Sequence, residues 1–285
     1  MSRNPHPRSD QMLASLREEN IATWFDLGLF LDRLRESRPS LACRPCADLL
    51  AFERDVAAGI AFITFDIGID GVSMEIAKYA KALRLFLGDP KLHYIAGDFD
   101  DCSDHVIDPS DTWHTLEIIQ GFADWPSYRD FFSRKLERGS PLYNELIGRL
   151  WSEVLDICEQ LGAIVEENDI HLLFLVNTNS NAGNVSLALA TVLVSEYLGI
   201  PVVNNCHDFY WEDGASAVER EVAGTPRGPR DHFFTNSHVG EFFSLLEVLY
   251  PWESRSWISA CINEAQIDSL YERFGHNPAN LTQIG

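Results

Sequence analysis

Beyond residue 59 the hydrophobic positions of the chain follow two alternating rhythms. Short, largely apolar runs with β-branched and aromatic residues, Ile60 to Phe65, His93 to Ala96, His171 to Val176 and Pro201 to Asn205, have the length and composition of buried strands. Stretches with helical spacing of apolar residues lie between them. These are Val72 to Leu87, Ser127 to Val165 broken near Gly139-Ser-Pro141 where proline suits a first helical turn, and Val185 to Leu198 closed by Gly199. Shorter strands are predicted at Thr115 to Ile118, His232 to Asn236, Trp257 to Ser259 and Leu281 to Ile284, with helices from Val239 to Leu249 and from Asn263 to Gly275. This alternation predicts an α/β fold in which a parallel sheet carries helices on both faces and ligands lie at the carboxyl ends of the strands.

The first 59 residues differ. Ser9 is placed to cap a helix, and Ile21, Trp24, Phe25, Leu27, Leu29, Phe30, Leu31 and Leu34 form an apolar stripe that ends at Arg38-Pro39. A second helical stretch, Ala47 to Ala58, stops at Gly59. Residues 1–59 read as an α-helical extension of a main domain, residues 60–285, packing onto that domain or onto a second subunit. Plain coverage of an apolar face is the simpler role.

Composition narrows the partners. The 285 residues carry 22 Lys plus Arg against 43 Asp plus Glu, a formal charge of -21, which phosphate backbones and acidic lipid head groups repel. Nucleic acid is therefore not an expected partner. Hydrophobic residues at 46% place the chain among folded globular proteins. No run approaches the roughly 18 to 20 apolar residues of a membrane span, and the polar Met1 to Asp10 lacks the apolar core of a signal peptide, so a cytoplasmic protein is expected. The six cysteines are scattered, mostly in apolar runs, which argues against a disulfide framework. Cys43-Arg-Pro-Cys46 lacks the second ligand pair that a zinc site needs, so no metal is expected.

Candidate chemistry sits in the loops after the predicted strands. Gly68-Ile-Asp-Gly71-Val72-Ser73 joins a strand to a helix, where small residues let a ligand approach and the free N–H groups favour a phosphate; a tight turn and nothing more is the plainer reading. It matches neither a dinucleotide fingerprint nor a P-loop. His207-Asp208 follows an apolar strand, where an imidazole can donate to a sugar hydroxyl or a developing oxyanion and a carboxylate can accept hydroxyls. Tyr210 and Trp211 offer flat faces, and Glu212 and Asp213 add acceptors; the alternative is a strand-end histidine over an aromatic corner. The loop from Asn177 through Asn179 and Asn181 to Asn184 is dense in amides, which read hydroxyl-rich ligands but also close turns and cap helices.

The segment from Gly68 to Leu83 resembles the opening strand, G-G-V-S loop and helix of retaining GT-B glycosyltransferases of the family 4 type, the group of sucrose-, trehalose- and mannosylglucosylglycerate-type synthases. His207-Asp-Phe-Tyr-Trp-Glu212 resembles their H-D loop, and Phe234-Thr-Asn-Ser237 with Asn263 to Ile284 resembles the end of their N-terminal lobe. The resemblance covers residues 60–285 and departs at Asp70, where the family has a second glycine. It implies a Rossmann-like, doubly wound acceptor-side lobe. Gly68, Gly71, Val72 and Ser73 would then face the donor phosphates, His207 and Asp208 the donor sugar, and Asn177, Asn179, Asn181, Tyr210, Trp211 and Glu212 the acceptor.

The expected activity is transfer of a sugar, with retention, from a nucleotide-sugar co-substrate to a small polyol, sugar or sugar acid, with no permanently bound cofactor. The family's donor-binding lobe would begin where this sequence ends, so a lone lobe is expected to transfer little. The alternative is a binding module or half-enzyme whose partner chain, or second copy, completes the cleft. A third reading, a different α/β enzyme with His207 as general base, rests on the same strand end.

Overall fold

The computed structural model describes residues 7–37, 48–212 and 239–284. The predicted strand 232–236, the loop residues Asp213, Gly214, Asn236 and Ser237, and the Cys43/Cys46 pair lie outside them. The chain opens with three helices, Pro7–Glu18 (α1), Trp24–Ser37 (α2) and Leu49–Ala58 (α3). Ile60–Ile63 (β1), the two-residue strand Asp66–Ile67 (β2) and helix Gly71–Leu87 (α4) follow, then Leu92–Ala96 (β3), Asp98–Phe99 (β4) and Thr112–Thr115 (β5). The second half runs Pro141–Glu167 (α5), Leu172–Val176 (β6), Val185–Leu198 (α6), Val202–Cys206 (β7), Gly240–Leu249 (α7), Trp257–Cys261 (β8), Glu264–Asp268 (α8) and Leu281–Gln283 (β9).

Seven strands form one parallel sheet in the order β5-β3-β1-β6-β7-β8-β9, and β2 pairs with β4 beside it. Counting the seven alone in chain order gives 3-2-1-4-5-6-7. The fold is thus the predicted α/β, Rossmann-like, doubly wound sheet, and its order reverses between β1 and β6. The strands alternate side chains between two cores. Ala61, Ile63, Leu173 and Leu175 face α1, α2, α5, α6 and α7, while Ile60, Phe62, Leu172 and Phe174 face α3 and α4.

Helix α6 explains the thickness of the first layer. Every residue from Val185 to Glu196 is buried, so it has no polar face to give to water and must be covered all round. Its polar groups are answered internally. Ser186 donates to Glu153 (2.6 Å), Thr191 to Asn179 (3.0 Å), and Ser195 and Glu196 accept from Trp257 and Trp252 (2.8 and 3.1 Å).

Three local expectations are corrected. Ser9 lies within α1 rather than capping it: Glu166 of α5 accepts from the backbone N–H groups of Arg8 and Ser9 and from the Ser9 hydroxyl, so the cap is supplied by tertiary structure. The third strand is Thr112–Thr115 rather than 115–118, because Leu116 and Ile119 bury their side chains in the α5 layer while residues 117–119 turn. Ser127 to Val165 holds a single helix, α5, capped by Ser140. Residues 129–133 form only one wide turn, with Phe131 and Phe132 driven into the core.

Trp24 joins the extension to this core. It is 4% exposed, its indole N–H donates to the Tyr143 carbonyl at 2.9 Å, and its ring meets Phe131 and Phe242 edge-on. Trp24→Ala is expected to lower stability by about 3 to 5 kcal/mol in urea unfolding. A loss below about 1 kcal/mol would mean that α2 does not share the core.

Candidate functional site

In a doubly wound sheet the natural crevice opens beyond the carboxyl ends of the strands where their order reverses, here β1 and β6. The floor of that crevice is filled. Phe65, just past β1, sits between Gly121 and Gly183, whose added Cβ atoms would lie 2.6 and 2.7 Å from its ring, and Phe122 packs edge-on against it. The segment after β5 therefore covers the loop after β6, fixed by Asn184, which donates to the carbonyls of Ile118 and Gln120 while capping α6.

This cover decides the fate of the amide-rich loop. Asn179 has no exposed surface; its amide donates to Ala188 and its oxygen accepts from Thr191 and Thr178, so it cannot reach a ligand. Asn181 is 5% exposed. Asn177 adopts a left-handed φ of 62° and aims its side-chain oxygen back to accept from Ser180 and from the backbone N–H of Asp208, both at 3.1 Å. The expectation that these amides read the acceptor is corrected for Asn179, and Asn177 acts as the tie between the β6 and β7 loops.

The β7 loop keeps His207 and Asp208 at the surface. Their side chains are 32% and 29% exposed, with Nδ1 of the imidazole 3.5 Å from a carboxylate oxygen of Asp208. The rest of the loop turns inward. Tyr210 is 3% exposed, and Trp211 is stacked on Phe209 at 4.0 Å and packed against Phe274 at 4.7 Å, so neither offers a free face to a sugar ring. Glu212 braces the loop: it accepts from the Phe209 N–H and from the amide of Gln266. Gln266, 2% exposed, also reaches the His207 carbonyl at 3.4 Å. Nothing local in the sequence marks Gln266 for this role, because its partner Glu212 is 54 residues away.

The glycine loop holds an anion of its own. Asp70 caps α4, accepting from the N–H groups of Val72 and Ser73 at 2.7 and 3.0 Å and from the Ser73 hydroxyl at 2.5 Å. Ser73, wholly buried, accepts in turn from the Gly68 N–H. The donors expected to meet a phosphate are thus occupied by a carboxylate, and Gly71 has neither positive φ nor a close neighbour. Around this cap Asp66, Asp98, Asp100 and Asp124 add negative charge; burial first, and then Asp70, Asp100, Asp124 and Asp98, push the Asp66 carboxyl above its usual range. The sequence shows an acidic loop from Gly97 to Asp104 and places Asp66 in the loop after the first strand, but not that Asp66 and Asp98, at the starts of the paired strands β2 and β4, gather with Asp100 and with Asp124 of the covering segment.

The strand ends thus present two polar features: the His207–Asp208 pair, and a carboxylate-lined rim around Asp66. Among the described residues no group of three or more His, Cys, Asp or Glu is arranged to hold a metal ion, and no helix is long and apolar enough to cross a membrane. No protein-family model matches the chain, and no curated protein is similar to it.

Ionised Asp66 opposes folding. Because the folded-state pKa of Asp66 lies above its unfolded value, its charge costs stability above that raised pKa, and the cost fades as the pH falls toward about 4. Asp66→Asn is expected to raise Tm at pH 7 and to give little gain at pH 3, where both states are protonated. An equal gain at both pH values would show that the gain is not electrostatic.

Proposed function

We propose that the chain is the acceptor-binding lobe of a retaining glycosyltransferase, which delivers a sugar from a nucleotide-sugar donor to a small hydroxyl-rich acceptor. The observation that carries this reading is that five carboxylates around Asp66 and the partly exposed His207–Asp208 pair both lie at the carboxyl ends of one doubly wound sheet. Ionised carboxylates are acceptors only and suit ligands that are all hydroxyl donors. The same charges repel anions, so a neutral polyol or sugar is favoured over a sugar acid.

In this reading the acceptor hydroxyl attacks the anomeric carbon of the donor, the bond from that carbon to the diphosphate oxygen breaks, and the leaving diphosphate takes the hydroxyl proton on the same face. His207 hydrogen-bonds the sugar being transferred, with Asp208 beside its Nδ1. The helix N-terminus at Val72 and Ser73 is closed to the donor phosphates by Asp70. Their cationic partners belong to a second unit, in the same polypeptide or in a partner chain.

Glycerol, glucose and glycerate are to be compared as ligands by saturation-transfer NMR, and UDP-, GDP- and ADP-sugars as donors with the native full-length protein. The two neutral compounds are expected to bind more tightly than glycerate, and Asp100→Ala to weaken them by about tenfold. His207→Ala is expected to cut transfer about 100-fold or more with acceptor binding retained. Undiminished transfer by that variant, or tighter binding of glycerate, overturns the assignment.

A further inference from the structure

A polar cavity of about 430 Å³ lies outside the strand-end site, between the last turn of α2, the end of α7 and the turn after α8. Four charged side chains line it: Arg35, Arg273, Glu247 and Glu253. Although two are cations and two anions, no two of them form an ion pair with each other. Elsewhere in the protein Arg84, Arg134, Arg138 and Arg149 each hold a carboxylate. Glu253 is fixed by accepting from the Asn277 N–H at 2.6 Å, and the Arg273 guanidinium lies over the Phe274 ring at 5.8 Å.

His276 supplies a second observation. It is 7% exposed, lines the cavity, and makes no side-chain hydrogen bond among the described residues. Burial, opposed by Glu253 and assisted by Arg35, holds the imidazole below its usual pKa. Val248, Pro251 and Phe274 form the apolar part of the lining.

A simple anion here would meet two carboxylates, and a simple cation two guanidiniums. Only a ligand carrying both charges uses all four groups. We propose that this cavity binds a small zwitterion, an α-amino acid with an apolar side chain. Its carboxylate lies on Arg35 and Arg273, its ammonium group on Glu247 and Glu253, and its side chain against Val248, Pro251 and Phe274. The assignment is independent of glycosyl transfer. Phe274 nevertheless packs on Trp211, so an occupant would press on the loop that presents His207.

Isothermal titration at low salt tests this with L-leucine, L-phenylalanine, 4-methylpentanoate and 3-methylbutylamine. At least one of the two amino acids is expected to bind saturably, and each singly charged compound about tenfold or more weaker. Arg273→Ala and Glu247→Ala, both at exposed positions, are each expected to reduce binding about tenfold or more with Tm unchanged, while His207→Ala leaves it intact. Equal binding of the acid would make the cavity an anion site, and equal binding of the amine a cation site. Either result overturns the proposal, as does the absence of saturable binding up to about 10 mM amino acid.

Discussion

The constraint on which the structure depends is the complete burial of α6. A helix apolar on every side cannot lie at a surface, so the sheet must cover one flank and α1, α5 and α7 the others. That requirement draws the N-terminal helices into the core, where Glu166 of α5 caps α1 and Trp24 inserts among Phe131, Tyr143 and Phe242. It also fixes the loop that leads into α6. With the helix start at full burial, Asn179, Ser180 and Asn184 have no water to bond and must find protein partners.

The same pressure shapes the strand-end site. Once Phe65, Gly183 and the segment around Phe122 close the point where the strand order reverses, ligand-accessible polar groups are displaced to its margins, the carboxylates around Asp66 and the His207–Asp208 pair. Asp70 at the start of α4 performs locally what a bound phosphate does in other folds, neutralising free N–H groups and the positive helix end. Burial and the neighbouring carboxylates push the Asp66 carboxyl above its usual range, so its ionised form is held against their repulsion.

The charge distribution divides the surface. The chain is strongly acidic overall, yet the second cavity brings two cations, Arg35 and Arg273, together with two anions, Glu247 and Glu253, with no ion pair between them. The Trp211–Phe274 contact links that cavity physically to the β7 loop.

The sequence by itself determined the fold class, the strands from Ile60, His93, His171 and Pro201, and the helices ending at Leu87 and Leu198. Apolar runs and their 3.6-residue alternatives are local signals, readable wherever burial is uniform. It also marked the strand-end loops, because glycine, histidine and amide clusters interrupt those runs. Which polar groups remain free was decided only by the tertiary structure. Asn179 and Trp211 look like ligand contacts in sequence, but Thr191, Ala188, Phe209 and Phe274 occupy them from 9 to 63 residues away or from the same loop. Ser9 looked like a cap until Glu166 supplied one, and Asp66, Asp98, Asp100 and Asp124 became a cluster only when the parallel sheet aligned its carboxyl ends. Hydrogen-bond satisfaction and electrostatics depend on through-space distance, and in a parallel sheet the nearest neighbours in space are far apart along the chain.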